Sequence, residues 1–267
     1  MLNTLRHSHW VPDYSRAAEA IKLAAAENLR LRALREAEQS STSTSFAIEG
    51  EDINAYRLFK DFLSDVSLTG GTYVDIGCHD PIAASNTYLF YKKGWRGLCV
   101  DANPAFAERF RQFRPEDTFV CTAVGDANAH GTYYRFDNPL VNGFYTAERA
   151  LEISKALGSA IEGNDEVPFR TLNSLLNDYF RGSGIVDLFS IDVETMEEKI
   201  LASWDFERWP ARLIACEIQG QKSLQDISLI TQHPLSQFLR KIGYTHLSRF
   251  YHTCFFVNHK LPPLKKP

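Results

Sequence analysis

No stretch of this 267-residue chain approaches the roughly 20 consecutive apolar residues that a membrane-crossing helix needs, and Met1 to Trp10 hold no continuous apolar run. The expectation is a cytoplasmic protein with no membrane contact. A surplus of one charge is missing as well. Twenty-nine basic residues stand against 33 acidic ones, a net charge of −4, which removes any global electrostatic case for nucleic acid or an anionic surface. Paired cysteines are also lacking. The five, Cys78, Cys99, Cys121, Cys216 and Cys254, are odd in number and widely spaced, with no CxxC pair. That pattern argues against disulfides and zinc, and for small buried hydrophobes in a reducing compartment. What the chain does have is 44% hydrophobic and 12% aromatic content, enough for one large core.

Residues Asp13 to Glu38 are rich in Ala, Leu, Glu, Lys and Arg, with Ala20, Leu23, Ala24, Leu31 and Leu34 near one face, and predict a helix. The polar run Gln39 to Ser45 then reads as a linker. It divides the chain into an N-terminal helical extension, 1–45, and a main domain, 46–267. The extension either joins copies into a homo-oligomer or packs on its own domain; the residues leave the two readings level.

Helical spacing of Ile53, Tyr56, Phe59, Phe62 and Leu63 predicts a second helix over 51–65. From Thr72 onward strands and helices alternate. Apolar strands are expected over 72–76, 95–101, 118–124, 167–171, 185–194 and 213–218, with a short exposed one over 131–136. Asp80-Pro81 and Asn103-Pro104 pair an N-cap with a first-turn proline, the former opening a helix to Lys93. Further helices follow at 172–180, 196–204 and 224–242, and a hairpin around His252 closes the chain. Successive βα units imply a doubly wound, mostly parallel sheet. Residues 137–166 lack periodicity apart from a helix over 147–157, and read as a lid or substrate loop.

Four strands end in acids: Asp75, Asp101, Asp192 and Glu217. In a doubly wound sheet such ends share one rim, where ligands lie against a helix N-terminus. The rim suits a cationic, ribose-bearing ligand such as S-adenosylmethionine, and Asp101, twenty-odd residues after the first acid, stands where a carboxylate accepts from ribose hydroxyls. A nicotinamide dinucleotide would need a glycine-rich pyrophosphate turn, and Asp75, Gly77, His79 and Pro81 supply only one of its glycines. Asp192 with Glu194 and Glu217 offers oxygen ligands of the type a divalent ion takes, but spacing alone does not establish a metal, and none is assigned.

Taken in order, Gly50-Glu51-Asp52, Val74 to Pro81, Ser85 to Phe90, Gly94-Trp95-Arg96-Gly97, Asp101-Ala102-Asn103-Pro104, Ala123-Val124-Gly125-Asp126 and Ile191 to Glu194 resemble the FkbM-type methyltransferases. The resemblance spans about Phe46 to Val257. It implies a class I, Rossmann-like methyltransferase fold, a seven-stranded sheet whose last strand is antiparallel, and O-methylation with S-adenosylmethionine as cofactor. The acceptor it implies is a hydroxyl of a sugar, glycan or small natural product. By position it gives Asp75, Gly77 and Asp80 to the cofactor turn, Asp101 and Ala102 to the ribose end, and Ala123 and Val124 to the segment beside the adenine. Asp192 and Glu194 take the rim facing the methyl group and, with His79, are the candidate catalytic residues. Thr195 departs from the glycine that often follows the Asp-x-Glu pair. The alternative is a methyltransferase-like scaffold without turnover.

Overall fold

Strands of Val, Ile, Phe and Cys that are apolar on both faces can be stable only between two layers of helices, and that is how the main domain is built. The structure, a computed structural model, describes residues 14–63, 70–138, 141–193, 196–218 and 227–262. The chain falls into two units, Met1–Thr44 and Ser45–Pro267. The first contains α1 (Tyr14–Ser41), which runs three residues into the expected linker. Its Leu23, Leu29 and Leu34 are exposed.

In the second unit the element order is α2 (Glu51–Leu58), β1 (Thr72–Ile76), α3 (Tyr88–Lys92), β2 (Arg96–Asp101), α4 (Phe106–Phe113), β3 (Thr118–Cys121), β4 (Ala123–Gly125), β5 (Ala129–Phe136), β6 (Gly143–Phe144), α5 (Ala147–Leu157) and β7 (Ile161–Thr171). There follow α6 (Leu172–Phe180), β8 (Val186–Ile191), α7 (Glu197–Ser203), β9 (Ala211–Glu217), α8 (Ile227–Gln232), α9 (Pro234–Lys241), β10 (Thr245–Phe250) and β11 (Thr253–Val257). The large sheet has seven strands in the order β10-β11-β9-β8-β1-β2-β3. β3, β2, β1, β8 and β9 pair in parallel, and β11 runs antiparallel between β9 and β10. This is the mixed sheet with an antiparallel closing strand that the sequence led us to expect. One face buries Val74, Ile76, Phe189, Ile191 and Ile214 with Trp204 and Trp209. The other buries Tyr73, Leu188, Leu213 and Phe255 against Phe59, Phe90 and Trp95.

Four expectations need correction. The helix predicted from Asp80 does not form there. Asp80 Oδ1 accepts from the amides of Ile82 (3.0 Å) and Ala83 (2.9 Å), so the cap is real, but Ala84 turns left-handed at φ 56° and the Ser85 amide donates to the Phe46 carbonyl. Helix begins only at Tyr88. The strand expected over 118–124 splits at Thr122, its second half entering another sheet. The supposed loop over 137–166 holds the expected helix α5 but also contributes β6 and the first part of β7 to that four-stranded sheet, ordered β4-β7-β5-β6. The C-terminal helix is two helices meeting at His233-Pro234, and its first residues, 224–226, lie outside the described residues.

Candidate functional site

The carboxyl rim of the large sheet is shaped first by Gly77. At φ 77° it occupies a left-handed conformation that costs glycine nothing. Its amide donates to the Val100 carbonyl (2.9 Å), as does that of Cys78 (3.1 Å), while the Asp192 amide donates to the Ile76 carbonyl (3.0 Å). The turn is thereby wedged between β2 and β8. A Cβ on Gly77 would lie 1.8 Å from the Asp192 carbonyl oxygen.

His79 is likewise left-handed, at φ 51°. That conformation aims its amide at Asp101 Oδ2 (2.9 Å), while the Asn103 amide donates to Oδ1 (2.8 Å). Burial raises the Asp101 pKa, and the two amides oppose that rise. The His79 ring lies 4.6 Å from Phe106, and its buried Nδ1 has no hydrogen-bond partner among the described residues. A buried, unanswered nitrogen thus lies beside an acid held by backbone amides at the end of β2.

Asp75 is placed differently from the direct ligand contact expected of it. Its side chain is buried beneath the turn, and Thr87 Oγ1 donates to Oδ2 at 2.6 Å. Burial pushes its pKa up, against the bonds of Thr87 and Ser190 and the charge of Arg114. Asp80 lies below the ordinary carboxylate range. Burial alone would raise it, but its bond to Arg109 and two backbone amides outweigh that effect.

Ala102 and Ala123 do come together, packing with Tyr133, Val167, Phe144 and Phe169 of the second sheet. Val124 points the other way, into the main core, so of the two residues expected beside an adenine only Ala123 faces the crevice side. Tyr133 carried no signal in the sequence. Burial and then the charge of Asp101 push its phenol up, which brings the second sheet to the end of β2.

At the end of β8, Asp192 is exposed. Glu194 and Thr195 lie outside the described residues. Near Asp192 the described residues bring Glu197, whose Oε1 accepts from the Val193 amide (2.9 Å). Asp192, Glu197 and Glu217 each offer an oxygen, all within 4.8 Å of one another. This is an acidic group on the rim and no evidence of an ion. Glu197 was legible only as an acid in the first turn of a helix.

These elements define the class: a doubly wound α/β protein with its crevice at the carboxyl ends of β1, β2, β8 and β9. Residues 75–245 match the methyltransferase FkbM domain, and the chain belongs to that family. Among solved structures it is similar to methyltransferase FkbM from Methylobacillus flagellatus KT, at 10% identity and a TM-score of 0.41, over 74% of this chain and 46% of that one. This chain therefore spans less than half of that structure's length. No curated protein matches it.

Proposed function

We propose that the chain is an S-adenosylmethionine-dependent O-methyltransferase acting on a hydroxyl of a sugar, glycan or small natural product. The observation that carries the reading is the end of β2, where two backbone amides turn the Asp101 carboxylate toward the Gly77-Cys78-His79 turn. Each amide occupies one lone pair, and a carboxylate has about four acceptor sites. Asp101 therefore retains capacity for the two hydroxyls of a ribose. Ala102, Ala123 and Tyr133 supply the apolar flank that an adenine needs.

When bound, the donor supplies an electrophilic methyl group. The chain's own task is alignment: proximity and orientation contribute several kcal/mol to such a displacement. Asp192, exposed at the end of β8, is the group we assign to receive the acceptor's proton, with Glu194 and His79 as the other candidates. A positioned base contributes roughly a hundred- to ten-thousand-fold. Asp75 and Gly77 shape the turn, and Asp80 ties it to Arg109.

Titration calorimetry with S-adenosylmethionine tests the donor assignment. Wild type should bind and Asp101→Ala should bind at least tenfold more weakly; no binding by wild type, or equal binding by both, refutes it.

A further inference from the structure

We propose that Arg114 is a positioning residue of the donor site, acting through the Thr87 hydroxyl to hold Asp75 as a fixed negative end beneath the Gly77 turn. This rests on the donor reading above and concerns a set of buried groups to which that reading gave no part.

Arg114 stands just beyond α4 and is fully covered. A guanidinium only donates, so every polar contact it makes has a known direction. Nε donates to Asp117 Oδ2 (2.7 Å). Nη1 reaches the Pro81 carbonyl (3.4 Å) and Ser85 Oγ (3.3 Å), and Nη2 reaches Tyr73 Oη (2.8 Å), Thr87 Oγ1 (3.0 Å) and Cys99 Sγ (3.2 Å). Three of these partners, Pro81, Ser85 and Thr87, lie in the segment between β1 and α3. A guanidinium serving only as the ion-pair partner of Asp117 would not need them. Nor is a buried ion pair by itself a strong source of stability, since apolar residues of similar volume often replace one at no loss.

The direction continues past Thr87. Its oxygen accepts from Arg114, leaving its one proton for Asp75 Oδ2 at 2.6 Å. Asp75 thus ends a line of donors that begins at a full positive charge, and that line favours its ionised form over the neutral form that burial favours. The titratable groups facing it are Arg114 and Asp117 beyond α4, and Cys78, which senses its charge. Two residues on, just past the end of β1, is Gly77, whose turn lies on the carboxyl rim of the sheet. A donor whose amino and sulfonium groups are positive would meet a negative end that needs no reorganisation on binding.

Thr87→Val keeps the shape of the side chain and removes only the linking hydroxyl. Calorimetry on the full chain should show S-adenosylmethionine bound roughly ten- to a hundredfold more weakly, as for loss of one charge-assisted hydrogen bond, with Thr87→Ser recovering to within about threefold. The control ligand is 5′-methylthioadenosine, which carries the adenosine thioether but no positive charge. Its affinity should stay within about twofold, because the nucleoside pocket is untouched. Thr87→Ala removes the same hydroxyl with a smaller side chain and should show the same selective loss, which keeps the test open if the valine variant does not fold. Equal binding of S-adenosylmethionine by wild type and variants, or parallel loss of both ligands, overturns the inference and leaves the donor reading standing. Failure of wild type to bind S-adenosylmethionine removes the donor reading itself.

Discussion

Replacing Gly77 with alanine tests the geometry of the turn most directly, because two separable costs fall on one added carbon. The first is conformational: at φ 77° an L-residue with a Cβ loses about 1–2 kcal/mol. The second is steric. The new carbon would sit 1.8 Å from the Asp192 carbonyl oxygen and 2.8 Å from its carbon, and a backbone oxygen in a sheet rim cannot rotate away as a side chain would. Overpacking of this kind costs about 1–3 kcal/mol, here toward the upper end. Gly94 provides the internal control: its φ is 88° and nothing lies within 4 Å of its missing Cβ, so Gly94→Ala carries the conformational cost alone. At about 2–4 °C per kcal/mol for a domain of this size, Gly94→Ala should lower the melting temperature by roughly 2–8 °C and Gly77→Ala by roughly 4–20 °C. The assay is thermal unfolding followed by circular dichroism, with calorimetry on S-adenosylmethionine alongside. The alanine at 77 must push the β8 rim away, so donor affinity should fall at that position and remain unchanged at 94. If the two variants melt within a degree or two of each other and both bind as wild type does, β1 and β8 do not approach as described.

Asp75→Asn should separate stability from function. Because the folded pKa of Asp75 is raised, chiefly by burial, its ionised form costs stability; that cost is fully present above the folded value and vanishes as pH falls toward the ordinary carboxylate value. The variant should therefore melt higher than wild type at neutral pH, with the gap closing toward pH 4, while binding S-adenosylmethionine more weakly; a lower melting temperature at neutral pH with unchanged affinity would contradict both halves. At the amino end of the same strands, Asp187 Oδ1 accepts from Arg212 Nε (2.7 Å) and Oδ2 from the Thr72 amide (2.8 Å). Both ion-pair partners are nearly covered, so Arg212→Leu should cost about 3–5 kcal/mol in urea unfolding by leaving a buried carboxylate without its cation, and a loss below 1 kcal/mol would show that Asp187 finds another donor.

Periodicity made the large sheet legible, because strands buried on both faces advertise themselves as apolar runs and the acids at their ends mark the rim. The second sheet was marked only in part: the strands expected over 131–136 and 167–171 fall in β5 and the end of β7, while β6 and the first part of β7 carry no such signal. β7 is Ile-Glu-Gly-Asn-Asp-Glu-Val-Pro-Phe-Arg-Thr, mostly polar, and carries Pro168 although it lies between β4 and β5. Proline in an inner strand removes a ladder donor and ordinarily argues against strand. The Thr122 hydroxyl, donating to the Pro168 carbonyl at 2.8 Å, comes from the break between β3 and β4, a partner that no local pattern discloses. The helix expected at Asp80 failed for a related reason. Its cap signal was locally correct, but Ser85 found the distant Phe46 carbonyl in place of a helical partner.

The two acids at the ends of β1 and β2 look alike in sequence, each closing an apolar strand. What separates them is the origin of their donors. Asp75, buried, takes the hydroxyl of Thr87. Asp101 takes amides from His79 and Asn103, groups within two residues of the turns at the rim, and stays part-exposed. A side-chain hydroxyl meets the buried carboxylate and sets its charge, whereas backbone amides from two turns hold the other at the edge with acceptor sites to spare. Strand-end acids thus divide into those that condition a site and those that can touch its ligand, and this distinction depends on contacts 12 and 22 residues apart in the chain rather than on the motif that contains the acid.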